Sequence, residues 1–135
     1  MGRSLLILLD THVILWLASD DARLSRHAKA AIDEARQGDR GLAISDFSLY
    51  ELSLLFGKKR IGLVISVESF LAELERRFVV LPITSQVCVR ALAFPAGYPK
   101  DPADRIIGAT ALVEGIPLIT ADREIHNSRA LPTIW

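Results

Sequence analysis

Four acidic side chains in this chain stand where carboxylates could be gathered into one site. Asp10 ends an apolar run over residues 4–9, SLLILL, and Asp122 follows a second run over residues 116–121, IPLITA. Uninterrupted runs of this length suit strands buried on both faces, as in a parallel sheet packed between helices. Ligands of open parallel sheets bind at the carboxyl ends of the strands, where both aspartates fall. Glu51 lies in a helical stretch with Phe47 and Leu55 one turn away on either side, and residues 50, 52 and 54 are also apolar. Ser48 is the neighbour that would support a solvated polar stripe. A carboxylate embedded in an apolar helix instead needs a partner, because burying a lone charge is expensive.

The fourth acid, Asp104, lies in DPADRIIGATALVEG. Asp101 reads as the N-cap of a helix, Pro102 as its first residue and Asp104 as the third, a favourable place for an acid in a capping box. Asp104 also shares a face with Ile107, Gly108 and Ala111, which should press on the sheet. Each acid has a plain structural explanation, and for Asp10 and Asp122 it is N-capping. Together they describe an oxygen-rich site of the kind that Mg²⁺ or Mn²⁺ occupies, since clustered carboxylates repel one another unless a cation joins them. Thr120 places a hydroxyl close to Asp122.

The elements that must hold these acids alternate. A strand over 4–9 leads into a short apolar helix over 11–18. Ser25 caps a helix to about residue 37, with Ala28, Ala31, Ile32 and Ala35 on its apolar face. A strand over 41–44 follows, then a helix over about 47–58 capped by Ser45 or Asp46. Lys58, Lys59 and Arg60 close that helix and Gly62 breaks the pattern. An amphipathic helix spans 67–77, a strand 78–81 and another helix 85–94. Pro95, Gly97 and Pro99 make a turn-rich loop before the helix that Gly115 ends. A strand over 117–120, a helical turn after Asp122 and an edge strand within 132–135 complete the chain. The class is α/β, with a mostly parallel central sheet of four to five strands flanked by helices, and residues 1–135 form a single domain.

Bulk properties bound the function. Half of the 135 residues are hydrophobic, which excludes disorder. Sixteen basic residues balance sixteen acidic ones, so overall charge makes no case for a nucleic-acid partner. Cys88 is the only cysteine, which excludes internal disulfides and cysteine-based zinc sites and fits a reducing cytoplasm. No segment is long enough to span a membrane, and the N-terminal apolar run is too short for a signal peptide. The location expected is cytoplasmic. His12, His27 and His126 lack metal-ligand spacing and suit core or surface roles. No glycine-rich phosphate loop is present. His12 stands where haloacid-dehalogenase-like phosphatases need a second aspartate, and the acid pair and late lysine of receiver domains are missing.

The segments LDTHVILW, SDFSLYEL, DPADRIIGATAL and PLITADREI, in that order, resemble the PIN domain, and more narrowly the toxin ribonucleases of VapBC toxin–antitoxin pairs. The resemblance covers nearly the whole chain. It implies a metal-dependent endoribonuclease whose acidic site is Asp10, Glu51, Asp104 and Asp122, with Thr11 and Ser45 at accompanying polar positions. It implies Mg²⁺ or Mn²⁺ as cofactor, hydrolysis by metal-activated water, and products with 5′-phosphate and 3′-hydroxyl ends. The partners it implies are an RNA substrate and a small VapB-like antitoxin, in a homodimer or a toxin–antitoxin hetero-oligomer.

Lys58, Lys59, Arg60 and Arg105 are candidate contacts for RNA phosphates. For the first three, cations closing a helix explain the sequence equally well. Arg105 has Asp101 and Glu124 as alternative partners. Trp16, Leu17, Leu54, Leu55 and Phe56 offer apolar surface for an antitoxin segment or a second copy, or else belong to the core. Two positions depart from the family pattern: Ala103 replaces a bulky apolar residue, and Gly108 stands where alanine is more usual. The alternative function is a non-catalytic PIN-like scaffold, which would usually lack one or more of the acids.

Overall fold

Strand β1, Leu6–Leu9, runs through the centre of the molecule, and its side chains divide the core in two. Ile7 and Leu9 point into one layer, together with Leu42, Ile44 and Ile119 from neighbouring strands. Leu6 and Leu8 point into the other, with Ala43, Leu81 and Leu118. This is the two-residue alternation of a strand whose faces are both covered, and it explains why the run carries no polar residue. The computed structural model describes residues 6–38, 40–58 and 64–135. The start of the expected first strand, residues 4 and 5, and Lys59, Arg60 and Gly62 lie outside them.

Around β1 the order is α1 (Thr11–Ala18), α2 (Arg26–Gln37), β2 (Gly41–Ser45), α3 (Asp46–Gly57), α4 (Val67–Arg77), β3 (Val79–Leu81), α5 (Ser85–Leu92), α6 (Pro102–Glu114), β4 (Leu118–Ile119), α7 (Arg123–Ser128) and β5 (Thr133–Ile134). The sheet order is β3-β2-β1-β4-β5, and every pairing is parallel. Helices α1 to α4 contribute to the first core layer. Helix α6 and Ile125 of α7 cover the second, and α5 packs on the outside of α6. Chain order reverses direction across β1, so the crevice at the carboxyl ends of β1 and β4 is a topological switch point. Among the described residues no helix is long and apolar enough to cross a membrane.

The helix starts follow their caps. Asp10, Ser25, Ser45, Ser66, Thr84, Asp101 and Asp122 each accept a backbone N–H from the first turn of the following helix. Ser45, and not Asp46, caps α3. Gly115 ends α6 at φ 69°, a left-handed conformation that suits glycine.

Gly108 has a specific reason to lack a side chain. A Cβ there would come within 2.1 Å of the Tyr98 hydroxyl oxygen and 3.1 Å of Phe94. Tyr98 is fully buried, stacks on Phe94 at 3.8 Å between ring centres, and donates its hydroxyl to the Asp104 carbonyl at 2.7 Å. The departure from alanine thus makes room for a tyrosine that ties the 95–99 loop to the first turn of α6. Gly108→Ala is expected to cost about 1–3 kcal/mol, the range for overpacking a filled core. The double variant Gly108→Ala/Tyr98→Phe should recover part of that loss, because the nearest clashing atom is gone. Urea denaturation of the three proteins checks this, and a Gly108→Ala protein as stable as the parent would contradict it.

Candidate active site

Asp10 caps α1 and also lines a pocket at the sheet edge. It leaves β1 in extended conformation, which turns its carboxylate back over the first turn of α1. Oδ1 accepts the Thr11 N–H at 2.8 Å, and Oδ2 accepts the Thr120 hydroxyl at 2.7 Å. The residue is only 4% exposed. Thr120 comes from the end of β4 and also accepts the Asp122 N–H at 3.1 Å, so one buried hydroxyl ties the two strand-end aspartates together.

Glu51 reaches the same edge from α3. Its Oε1 accepts the Thr11 hydroxyl at 2.6 Å, and that hydroxyl also lies 2.8 Å from Ser48 Oγ. Burial pushes the Glu51 carboxyl above its ordinary range. The Thr11 hydrogen bond opposes this, and the charges of Asp10 and Asp101 add to it. Asp104 stands in the first turn of α6, and its carboxylate makes no hydrogen bond to the described residues. It is pushed up to about 7, first by burial and then by the charges of Asp10, Asp101, Asp122 and Glu51.

Asp10, Glu51 and Asp104 line one pocket of about 220 Å³ with Thr11, His12, Leu15, Leu55, Asp101 and Ala103. Four of these nine residues are carboxylates and none is lysine or arginine, so among the described lining residues no fixed positive charge offsets the acids. Ala103 lines the α6 side of the pocket. Among the described residues no three of His, Cys, Asp or Glu converge as a ready-made ion cage. Larger depressions elsewhere, such as the one of about 800 Å³ beside His27 and Trp135, bring no such set of acids together.

Asp122 sits differently from the other three acids. Its Oδ1 caps α7 by accepting the Glu124 and Ile125 N–H groups, and it does not line the pocket, although Asp104 feels its charge. Ser45 is fully buried and engaged in capping α3, away from the pocket lining. Asp46 accepts the Ile83 N–H, and its buried Oδ1 has no partner among the described residues.

Of the candidate phosphate contacts, neither Lys58 nor Arg105 lines the pocket. Lys58 is the exposed C-cap of α3, while Lys59 and Arg60 lie outside the described residues. Arg105 donates to the carbonyls of Pro99 and Ala91 at 3.0 and 3.3 Å, and pairs with neither Asp101 nor Glu124. It fastens the loop before α6 to α5. Of the apolar surface candidates, Trp16, Leu17, Leu55 and Phe56 pack partly buried against the core, whereas Leu54 is 45% exposed beside Tyr50 at 59%.

Sequence reasoning passed over three contributors. Asp101 lines the pocket as well as capping α6. His12 lines it too, with Nε2 accepting the Ala121 N–H at 3.0 Å and Nδ1 lying 3.7 Å from Asp10 Oδ2. Its position two residues after Asp10, at the start of a helix, was the available signal. Ser48 is completely buried, so the residue that suggested a solvated stripe belongs to the network around Glu51.

The profile of the PIN domain family matches residues 7–130. Ribonuclease VapC22 of Mycobacterium tuberculosis (strain ATCC 25618 / H37Rv) is 40% identical over 131 residues, covering 96% of this chain and 98% of that one. The structure of VapBC-1 from nontypeable Haemophilus influenzae superposes with a TM-score of 0.69 at 21% identity, over 95% of this chain and 96% of that one. The structure of VapBC2 from Rickettsia felis, bound to a promoter DNA fragment, superposes with a TM-score of 0.69 at 16% identity and the same coverage. At these identities the two structures speak to the fold alone.

Proposed function

This chain belongs to the PIN-domain family, and from that premise we propose that it is a metal-dependent endoribonuclease, the toxin of a toxin–antitoxin pair acting in the cytoplasm. The observation that carries the chemistry is the pocket itself. Asp10, Glu51, Asp101 and Asp104 line it, with no lysine or arginine among the described lining residues, and two of them are held above their ordinary proton affinity. Carboxylate oxygens are the donor type that a hard divalent ion, Mg²⁺ or Mn²⁺, takes, and an ion entering the pocket would draw these acids together.

Asp10, Glu51 and Asp104 would hold the ion directly or through water, and Asp122 would complete the site from outside. When bound, such an ion supplies a Lewis acid beside the phosphodiester and makes water a competent nucleophile near neutral pH. Thr11 and Thr120 keep the Glu51 and Asp10 carboxylates in place through their hydrogen bonds, and Ser45 fixes the start of the helix that carries Glu51. Asp104 must give up its proton for its charge to serve. The substrate is RNA, cut to leave 5′-phosphate and 3′-hydroxyl ends.

The name of the M. tuberculosis relative and the VapBC assemblies among the structural neighbours support a small VapB-like antitoxin as partner, in a hetero-oligomer or with a toxin homodimer. Exposed Tyr50 and Leu54 on α3 offer such a partner apolar surface. A non-catalytic scaffold would have no use for the clustered acids. Calorimetric titration with Mn²⁺, alongside end-group mapping of RNA exposed to the protein, separates the two readings. Binding of Mn²⁺ and 5′-phosphate products are expected. A natively folded protein that binds no divalent ion would favour the scaffold.

A further inference from the structure

The order of hydrogens in one buried contact ties a residue outside the acid set to Glu51. Ser48 precedes Glu51 by three positions on α3, so the two side chains share a face of the helix. Thr11 has a single hydroxyl hydrogen, and it goes to Glu51 Oε1 at 2.6 Å. The 2.8 Å contact between Ser48 and Thr11 must then use the hydrogen of Ser48. Donation therefore runs one way, from Ser48 to Thr11 to Glu51.

The same arrangement stands beside Asp10. The Asp122 N–H donates to Thr120, whose hydrogen goes to Asp10 Oδ2. There the first donor is a backbone amide, which cannot turn. Beside Glu51 it is a hydroxyl, which could. Elsewhere in this fold buried or half-buried helix hydroxyls take the usual course and turn back to their own helix: Ser53 donates to the Tyr50 carbonyl and Thr110 to the Ile106 carbonyl. Ser48 faces Thr11 across the α1–α3 contact instead.

We propose that Ser48 is a positioning residue for the acid pocket: by donating to Thr11 it commits the Thr11 hydroxyl to Glu51 and fixes the carboxylate that faces the ion. The inference rests on the reading of this pocket as a divalent-ion site.

The test is a double-mutant cycle on the full chain, read by Mn²⁺ titration and by RNA cleavage. Thr11→Val is expected to lower Mn²⁺ affinity and cleavage roughly 10–100-fold, the range for removing a group that orients a metal ligand. Ser48→Ala should lower both by about 3–10-fold, a smaller loss because it acts at one remove. Thr11→Val/Ser48→Ala should match Thr11→Val alone, since Ser48 has nothing left to orient. Ser48→Cys keeps the shape and a weak donor and should fall between the parent and Ser48→Ala. The proposal is overturned if Ser48→Ala loses the same factor in the Thr11→Val background as in the parent, which marks a packing effect, or if it changes nothing in the parent. A parent protein that binds no Mn²⁺ overturns instead the underlying reading of the pocket, and does so before any variant is compared.

Discussion

Asp104→Asn is expected to lower RNA cleavage in Mn²⁺ by on the order of a thousandfold while leaving the protein folded. The substitution removes a charge from the pocket and little else. Its carboxylate holds no hydrogen bond to the described residues, and the Tyr98 contact to this residue uses the backbone carbonyl, which asparagine retains. The charge does favour the start of α6, by about 0.3–1 kcal/mol, but relief of repulsion from Asp10, Asp101, Asp122 and Glu51 works in the opposite direction. Asp10→Asn should silence cleavage as completely, yet it is the less clean experiment. Asp10 is nearly buried and satisfies both the Thr11 amide and the Thr120 hydroxyl, so its replacement disturbs the junction of β1 and α1 as well as the site. A folded Asp104→Asn protein that cleaves at the parent rate would remove Asp104 from the site.

Mn²⁺ affinity is expected to rise roughly tenfold per pH unit between about pH 5 and 7 and to level off above, because one carboxyl must lose its proton to bind. The group is Asp104, raised from 3.8 to about 7 by burial and by the neighbouring acids. The same shift sets the stability of the ion-free protein. Between about pH 4 and 7 the folded state keeps a proton that the unfolded chain has already lost. The stability Asp104 contributes is therefore full below pH 4 and is lost as pH rises through 7. Asp104→Asn has no such slope, so without divalent ions it should gain on the parent across that window and melt a few degrees higher at pH 8, at about 3–5 °C per kcal/mol for a domain of this size. Calorimetry at several pH values with Mn²⁺, and melting curves in EDTA, measure the two effects. A flat affinity over pH 5–7 would contradict the assignment.

The sheet and the helix caps were legible because they depend on local pattern. The apolar runs ending at Asp10 and Asp122 became central parallel strands, and Ser25, Asp101 and Gly115 bound their helices as their chemistry requires. Glu51 could be singled out because its apolar neighbours left a carboxylate without a local explanation. What escaped was the set of contacts made across elements. Ser48 looked like solvent-facing polarity, because nothing in the α3 sequence says that the Thr11 hydroxyl waits on the far side of the interface. Arg105 looked available to phosphate, because the carbonyls that engage it come from the Pro99 loop and the end of α5. Gly108 read as a departure from pattern, until Tyr98 was seen to fill the space of its missing side chain.

Asp101 shows where a plain structural reading and a functional one coincide. Its N-cap role was visible from the DP pair, and it is real. That its carboxylate also raises Glu51 and Asp104 depends on α6 meeting α1 and α3 at the carboxyl edge of the sheet, which local sequence does not encode. The acids thus act on one another through the fold, and an ion that binds them must act on all of them.

The most direct test of the account is a time course of end-labelled single-stranded RNA with the parent and Asp104→Asn proteins, each in Mn²⁺ and in EDTA. Cleavage to 5′-phosphate products by the parent in Mn²⁺ alone, with the folded variant inactive in both, is the predicted result. Equal cleavage by the two proteins, or cleavage by the parent undiminished in EDTA, would contradict the claim that this pocket of acids is a metal-dependent ribonuclease centre.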